Sequence, residues 1–282
     1  MLILALYPNL LNVSMLIKTE IFLESKKGLK LTEEVEKLLQ KEKITDGLMW
    51  VRVNSLTAIL TLTNTFDNRT YDDIVDVMDK NCPTLVQYDT KVSPFDSSGR
   101  IKSSMVGNHL TLWVENGKCM LGSSQAIVAI EFDGPKKVNL ELEIVTSNHF
   151  EKDMIKVDTQ QHGLHDVTED IRHIVEQNKI NSGFAYLFVP HSTSGIWLAE
   201  ESKEFIDLTK CLLDRMVPEI ANFKHRETPS DAAGHIKTSL SGTFLLFKID
   251  EGKCLIGENK RIYFMEFDGP RSRKIQMVTL IK

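Results

Sequence analysis

The stretch EFDGP occurs twice in the chain, at Glu131–Pro135 and again at Glu266–Pro270, 135 residues apart. The agreement continues upstream at the same spacing, because IKSSMVG at 101–107 matches IKTSLSG at 236–242. Solenoid repeats have periods of roughly 20–50 residues. A period this long therefore indicates a duplicated domain.

The duplication predicts two domains, with residues 1–148 as the first copy and residues 149–282 as the second. Each copy falls in the usual domain range of about 100–150 residues and can bury its own core. The apolar opening at 1–14 lacks a basic n-region and a cleavage site, and it is shorter than the about 20 residues that span a bilayer. We interpret it as an extension that precedes a natural start at Met15.

Each copy is predicted to contain few helices and many strands. In the second copy the pattern predicts a strand at 154–159, a helix from Thr168 that ends at Gly183, and an apolar strand that delivers His191. A second helix is predicted at 202–216, and the polar stretch 224–235 is predicted as a loop. Four short apolar runs follow, at 243–250, 252–257, 261–268 and 274–282. Strands with tight connections indicate an antiparallel sheet, so each copy is predicted to be α+β.

Composition is typical of a soluble globular protein, with 42% hydrophobic and 26% charged residues. A net charge of −5 and a pI near 5.9 argue against binding to nucleic acid, which requires a basic surface. No CxxC spacing is present, and Cys119 and Cys254 occupy matching positions in apolar runs. This pattern predicts buried, reduced thiols in a cytoplasmic protein.

Three histidines of the second copy stand where polar chemistry is expected. His191 ends a strand, and His225 and His235 lie in polar stretches rich in small residues. A lone histidine is more often a hydrogen-bonded structural residue than a ligand. Three neutral imidazoles that converge would suit zinc or a similar metal and leave a position open for water or substrate.

The stretches PHSTSGIWLAEE, FKH, DAAGHIKTSLSG, LIGENK and EFDGPR follow one another across nearly all of residues 154–282. As an ordered set they resemble the YjbQ family of small proteins, known as secondary thiamine-phosphate synthases. The chain keeps the family's glutamate as Glu200. It departs from the family pattern at Ala199, Phe223 and Asn259–Lys260, where the family has Asn, Tyr and Trp-Gln.

The resemblance implies a compact α+β fold, a homotrimer, and a pocket that gathers His191, His225 and His235 as ligands of a divalent metal, zinc or magnesium. It also implies roles for Glu200, Lys237 and Arg271. Glu200 would orient an imidazole or move a proton. Lys237 and Arg271 would bind the phosphate of a small phosphorylated substrate, with Lys237 also acting in catalysis. The residues 268–270 are expected to form a structural turn.

The first copy has lost the candidate ligands, because Asn54, Thr90 and Arg100 align with His191, His225 and His235. Thr63 aligns with Glu200, and Lys136 aligns with Arg271. Of the candidate site residues, only Lys237 has the same residue type in the first copy, where it is Lys102. We therefore predict a non-catalytic first copy that binds no metal. Gln125 preserves a family glutamine that the second copy lacks, and it is either a surface residue or part of a composite site between the copies.

The leading hypothesis is a metal-dependent or histidine-based enzyme that acts on a small phosphorylated molecule, with thiamine-phosphate synthesis as the activity that the resemblance implies. The alternative is a metal- or small-ligand-binding module without turnover. A third hypothesis is a scaffold that binds neither metal nor phosphate. All three hypotheses predict that the protein binds neither nucleic acid nor a membrane.

Overall fold

The computed structural model describes residues 13–86, 88, 93–146, 149–160, 162–219, 221–225 and 229–281. Residues 1–12 of the predicted extension lie outside this described part of the chain, and so does Thr90, which aligns with His225.

The first copy folds into two antiparallel sheets with three helices among its described residues. In spatial order, the five-stranded sheet contains β1 (Val13–Leu23), β8 (Lys136–Thr146), β3 (Gly47–Val53), β5 (His109–Glu115) and β6 (Lys118–Cys119). The three-stranded sheet contains β2 (Gly28–Lys30), β7 (Gln125–Glu131) and β4 (Ala58–Asn64). The helices are α1 (Thr32–Lys41), α2 (Arg69–Asn81) and α3 (Pro94–Val106).

The second copy repeats this topology strand for strand. Its five-stranded sheet contains, in spatial order, β9 (Phe150–Thr159), β16 (Arg271–Ile281), β11 (Ser182–Phe188), β13 (Phe244–Asp250) and β14 (Lys253–Leu255). Its three-stranded sheet contains β10 (Gly163–Asp166), β15 (Lys260–Glu266) and β12 (Ser194–Glu200). The helices are α4 (Thr168–Gln177), α5 (Lys203–Met216) and α6 (Pro229–Ser241). The predicted α+β fold with two copies is confirmed.

The three-stranded sheet of the first copy is covered on both faces, which explains why every residue of β4 and β7 is buried. Successive side chains of a strand point to opposite faces. Ile59 accordingly packs with α2, whereas Leu60 and Leu62 pack with the five-stranded sheet. The cluster around Ile59 also includes Ala233 and Ile236 of α6, so the second copy closes part of the first copy's core.

Two local predictions for the second copy are wrong, and its strands β10 and β12 were not predicted. Helix α4 ends at Gln177, and Gly183 lies within β11, where a Cβ atom would be 2.1 Å from the Leu280 carbonyl oxygen. The stretch predicted as a polar loop at 224–235 instead contains the first half of α6.

Helix α6 begins where its residues favour a helix start. Pro229 occupies its first position and Asp231 lies in its first turn, where proline and acidic residues stabilise a helix. Gly234 is tolerated in the interior because the helix approaches the chain before β12 closely. A Cβ atom on Gly234 would be 3.1 Å from Cβ of Thr193, and Gly99 of α3 faces Thr57 in the same way.

None of the helices in the described part of the chain is long and apolar enough to cross a lipid bilayer. The four cysteines are unpaired. Cys119 is buried as predicted, and burial raises the pKa of its thiol to about 12. Cys254 is only half-buried.

In both copies a lysine with a buried side chain pairs with a partly exposed aspartate of a neighbouring helix. Lys102 of α3, whose side chain has no exposed surface, binds Asp79 of α2. Nζ of Lys237 on α6 lies 2.6 Å from Oδ1 of Asp214 on α5, at the equivalent position. Removing one partner of a buried pair strands a charge away from water. The pair therefore fastens the two helices of each copy together.

We predict that Asp79→Asn lowers the free energy of unfolding by about 3 kcal/mol, because it strands the Lys102 ammonium in the core. Asp76→Asn is the matched control, since Asp76 lies on the same helix and makes an exposed ion pair with Lys224, worth about 1 kcal/mol or less. Urea unfolding of both variants measures the difference. Equal stabilities for the two variants would contradict the structural role of the pair.

Candidate metal-binding site

His225 lies in the segment between α5 and α6, outside any helix or strand. Its side chain is fully buried, and Nε2 lies 2.9 Å from Oδ2 of Asp231. His225 thus reaches the first turn of α6 although it precedes that helix in the chain.

His235 approaches the same carboxylate from within α6. Asp231 and His235 are four residues apart, so their side chains lie on one face of the helix. Nε2 of His235 is 3.3 Å from Oδ2 of Asp231. The rings of His225 and His235 meet edge to face with centroids 5.1 Å apart.

Together, His225, Asp231 and His235 form a group whose ligand atoms all lie within 4.8 Å of one another. It is the one such group of at least three histidine, cysteine or acidic residues in the described part of the chain. Its two histidines are buried and Asp231 is partly exposed, so the group is open on the carboxylate side.

The far nitrogen of each imidazole has its own hydrogen-bond partner. Nδ1 of His235 donates to the backbone carbonyl of Ser192 at 2.9 Å. Nδ1 of His225 faces Oδ2 of Asp67, at 3.0 Å, and Oγ1 of Thr70, at 3.3 Å. An Nδ1–H that donates outward leaves the Nε2 lone pair free to bind a metal, as is usual for histidine ligands. Both Nε2 atoms face Asp231, so the rings are oriented as ligands.

Asp67 and Thr70 belong to the first copy, and so does a second carboxylate that holds the His225 segment. The Asp73 carboxylate of α2 accepts hydrogen bonds from the backbone N–H groups of Lys224 and His225, at 2.7 and 2.9 Å. The group therefore lies at the contact between the two copies.

The structure does not bring His191 into this group. The Nε2 atom of His191 accepts a hydrogen bond from the Lys274 backbone N–H at 3.0 Å. Burial, aided by the nearby Arg273 cation, lowers the pKa of His191 to about 4, so the imidazole is neutral. Since its Nε2 lone pair is engaged with β16, the contacts favour a role in holding the loop after β11.

Glu200 and Lys237 also lie apart from the group. Glu200 is exposed at the far end of β12, and the six steps from Ser194 span about 20 Å at about 3.3 Å each. The Lys237 ammonium is engaged with Asp214, and the same pairing of Lys102 in the first copy favours a structural role.

Arg271 lies at the edge of the site and is largely exposed. Its guanidinium binds the side chain and backbone carbonyl of Asp268, at 2.9 and 3.1 Å. The hydrogen bond to Asp268, with smaller contributions from Glu266 and Asp231, raises the pKa of Arg271. Arg271 is therefore within electrostatic reach of Asp231 and keeps its positive charge.

Gln125 is buried between the copies, so its interpretation as a surface residue is wrong. Its Nε2 donates to the backbone carbonyls of Val189 and His191, at 3.0 and 2.9 Å, and its Oε1 accepts from Gly122. Gln125 thus fixes the loop that carries His191 without contacting an imidazole through these bonds.

The first copy has an ion pair where the second has Asp231 and His235. Asp96 and Arg100 occupy the equivalent positions on α3, and Nε of Arg100 lies 2.6 Å from Oδ2 of Asp96. A guanidinium is a permanent cation and cannot bind a metal. That this copy binds no metal stays a prediction, which rests on Arg100.

Two residues of the site were not identified from the sequence. Asp231 could have been found, because an aspartate four residues before a histidine shares its helix face. Asp67 carried no usable signal, since it lies 158 residues from His225 in the other copy.

Comparisons with known proteins identify the family. The family model described as UPF0047 protein YjbQ-like matches the chain twice, at residues 19–147 and 153–282. A UPF0047 protein of Methanocaldococcus jannaschii is 39% identical over 113 residues, which cover 39% of this chain and 80% of that protein. The UPF0047 protein YugU of Bacillus subtilis is 31% identical over 118 residues, which cover 41% of this chain and 87% of YugU.

Solved structures of single-copy length also match. A yjbq/upf0047-family protein from Clostridium acetobutylicum is 32% identical with a TM-score of 0.43, and the match covers 45% of this chain and 98% of the other. A YbjQ-like protein of unknown function from Sulfolobus solfataricus is 28% identical with a TM-score of 0.44, covering 46% of this chain and 96% of the other. With the family model matched in both halves, the chain belongs to the YjbQ-like UPF0047 family and contains two tandem copies of its domain.

Proposed function

We propose that the second copy binds a divalent metal ion through His225, His235 and Asp231, and that this centre acts on a small phosphorylated molecule. The observation that carries the proposal is the convergence of two histidine Nε2 atoms on one carboxylate oxygen, at 2.9 and 3.3 Å. A separate partner at each far nitrogen, as found here, is also the usual arrangement around histidine ligands of a metal.

The residues present fit zinc. Bonds of about 2.0–2.1 Å in a tetrahedral site place neighbouring ligand atoms about 3.3 Å apart, close to the separations of both Nε2 atoms from Asp231. Two imidazoles and one carboxylate also favour zinc over magnesium, because magnesium prefers oxygen ligands. Three protein ligands leave a fourth position for water or substrate.

The surrounding residues suit a phosphorylated substrate. A bound ion would supply positive charge that polarises a phosphoryl oxygen. Arg271, exposed and charged at the edge of the site, would bind the phosphate as a fork. In thiamine-phosphate synthesis, the ring nitrogen of a thiazole phosphate forms a bond to the methylene carbon of a pyrimidine pyrophosphate, and the C–O bond to pyrophosphate breaks and releases it. This step requires neutralised leaving phosphates and fixed geometry. We propose this activity on the resemblance to the family.

One observation favours the alternative, a metal- or small-ligand-binding module without turnover. The two residues assigned to catalysis from the sequence, Glu200 and Lys237, do not reach the metal-ligand group. Binding and charge neutralisation thus have candidate residues in place, whereas Glu200, the residue assigned to proton transfer, lies elsewhere. The unpaired cysteines support the proposed cytoplasmic location.

We predict one zinc ion per chain, because the first copy holds Arg100 where the second holds His235. Metal analysis of protein purified without a histidine tag or chelators measures the ratio. His235→Ala should remove at least nine-tenths of the metal, and the exposed His173→Ala is the matched control that should retain it. Two ions per chain, or full retention in His235→Ala, would contradict the site.

His191→Ala separates the two possible ligand sets. Retained zinc supports the group built on Asp231, whereas an empty protein supports the three-histidine set that the sequence predicts. Circular dichroism checks that the variant is folded.

A turnover assay with both half-substrates distinguishes the enzyme from the binding module. The enzyme hypothesis predicts product formation by the wild type and a loss of at least 100-fold in His235→Ala. If the two proteins are equally inactive while the wild type binds zinc and phosphate, the binding module is correct.

We also propose that the chain self-associates, with the homotrimer as the assembled state. On α2, Thr70, Asp73 and Val77 face the second copy and are buried. Their equivalents on α5 are apolar and exposed, with Leu208 at 62% and Leu212 at 58%.

The opposite half of the same contact is also left open. On α6, Ile236 and Leu240 pack against the first copy. Their equivalents on α3, Ile101 and Met105, are exposed. Each copy therefore exposes a surface whose equivalent on the other copy is buried at the contact between the copies. The exposed surface of α5 in one chain can pack against the exposed surface of α3 in another chain.

Light scattering at micromolar concentration should give about three times the chain mass of 32.1 kDa. Leu208→Asp with Leu212→Asp should dissociate the assembly, because two charges would be buried in an apolar contact. Leu255→Asp, at a similarly exposed leucine on β14, is the control and should leave the mass unchanged. A wild-type monomer would exclude the proposed assembly.

A further inference from the structure

We infer that Asp67 of the first copy is a positioning residue for the metal centre of the second copy, so that both copies build the one site of the chain. This inference rests on the proposed function, since it assigns Asp67 a role through the metal ligand His225.

His225 depends on the first copy for its orientation. No helix or strand contains it, and its imidazole is fully buried against α2 and the turn before α2. Nδ1 faces Oδ2 of Asp67 at 3.0 Å while Nε2 faces Oδ2 of Asp231 at 2.9 Å. Because Asp67 and Asp231 contact opposite nitrogens of the ring, these two contacts decide which nitrogen is presented to a metal.

The first copy holds the backbone and the ring of His225 by different residues. Asp73 accepts the backbone N–H groups of Lys224 and His225, which fixes the segment. Asp67 contacts the imidazole itself, together with the Thr70 hydroxyl. Loss of Asp67 should therefore disturb the ring while leaving the segment anchored.

Asp67 is held as a carboxylate that can only accept hydrogen bonds. Arg69 binds both of its oxygens, at distances from 2.7 to 3.0 Å. A carboxylate at Nδ1 of a histidine ligand selects the Nδ1–H tautomer and raises the basicity of Nε2.

The second copy offers no equivalent carboxylate. In the register set by the Asp79 and Asp214 ion pairs, Thr70 and Asp73 correspond to Phe205 and Leu208 of α5. The turn before α5 has Ser202 and Lys203 where the first copy has Asp67. The orienting carboxylate thus comes from the first copy alone in this contact.

The test titrates zinc alone into the full-length wild type, Asp67→Asn and the control Asp76→Asn. Asp76 is on α2 and pairs with Lys224 at 2.8 Å, next to His225, but its contact is with the lysine ammonium. Removal of a carboxylate that orients a metal ligand typically costs 10–100-fold in metal affinity. We expect at least a 10-fold loss in Asp67→Asn, less than twofold in Asp76→Asn, and partial recovery in Asp67→Glu.

A second readout separates positioning from simple stabilisation. Long-range ¹H–¹⁵N spectra of the metal-free protein report the tautomer of His225, which is assigned by its loss in His225→Gln. We expect a proton on Nδ1 in the wild type and in Asp76→Asn, and a mixture of forms with and without that proton in Asp67→Asn.

Wild-type zinc affinity and an unchanged tautomer in Asp67→Asn overturn the inference and leave the proposed metal site standing. If the wild type binds no zinc, the proposed function fails and this inference fails with it. Lower stability of Asp67→Asn with unchanged affinity identifies a merely structural residue and also overturns the inference.

Discussion

A histidine in a segment without regular secondary structure keeps a single orientation only where fixed partners hold it, and His225 takes those partners from the first copy. The Asp73 carboxylate accepts a hydrogen bond from the backbone N–H of His225, and Asp67 faces the imidazole ring. The other two residues of the group, Asp231 and His235, lie on α6. The contact between α2 and the His225 segment therefore decides whether the group forms at all.

The buried framework is the part of the fold that both copies share. In each copy a buried glutamate accepts a hydrogen bond from the aspartate N–H of its FDGP turn, Glu131 from Asp133 and Glu266 from Asp268. The compensation of that buried charge differs. Arg273 binds Glu266 with two hydrogen bonds, whereas Glu131 accepts hydrogen bonds from the Ser55 and Thr57 hydroxyls and lies 3.7 Å from the Lys136 ammonium. The repeated EFDGP sequence thus reflects the geometry of a turn, and the chemistry around it was free to change.

The sequence predicted the parts of the fold whose causes are local. The repeat was visible as a constant spacing, and α5 and the strands other than β10 and β12 of the second copy were visible as apolar patterns. Helix α6 was missed because Pro229, Asp231 and Gly234 are typical of loops when considered singly. Its stability comes from distant contacts, such as the Thr61 hydroxyl that donates to the Ser239 carbonyl, and from packing against the first copy. Such contacts have no signature within the segment itself.

The same limit explains the candidate site, in which the sequence identified His225 and His235 but neither carboxylate near them. The two copies differ in opposite ways at their contact, since the first retains Asp67 and Asp73 without the histidines and the second retains the histidines without those acids. A site made of one set from each copy survives this loss, whereas a site within either copy does not. On the proposed role of Asp67, the two copies are unequal partners: the second supplies the ligands and the first supplies the carboxylates that hold His225.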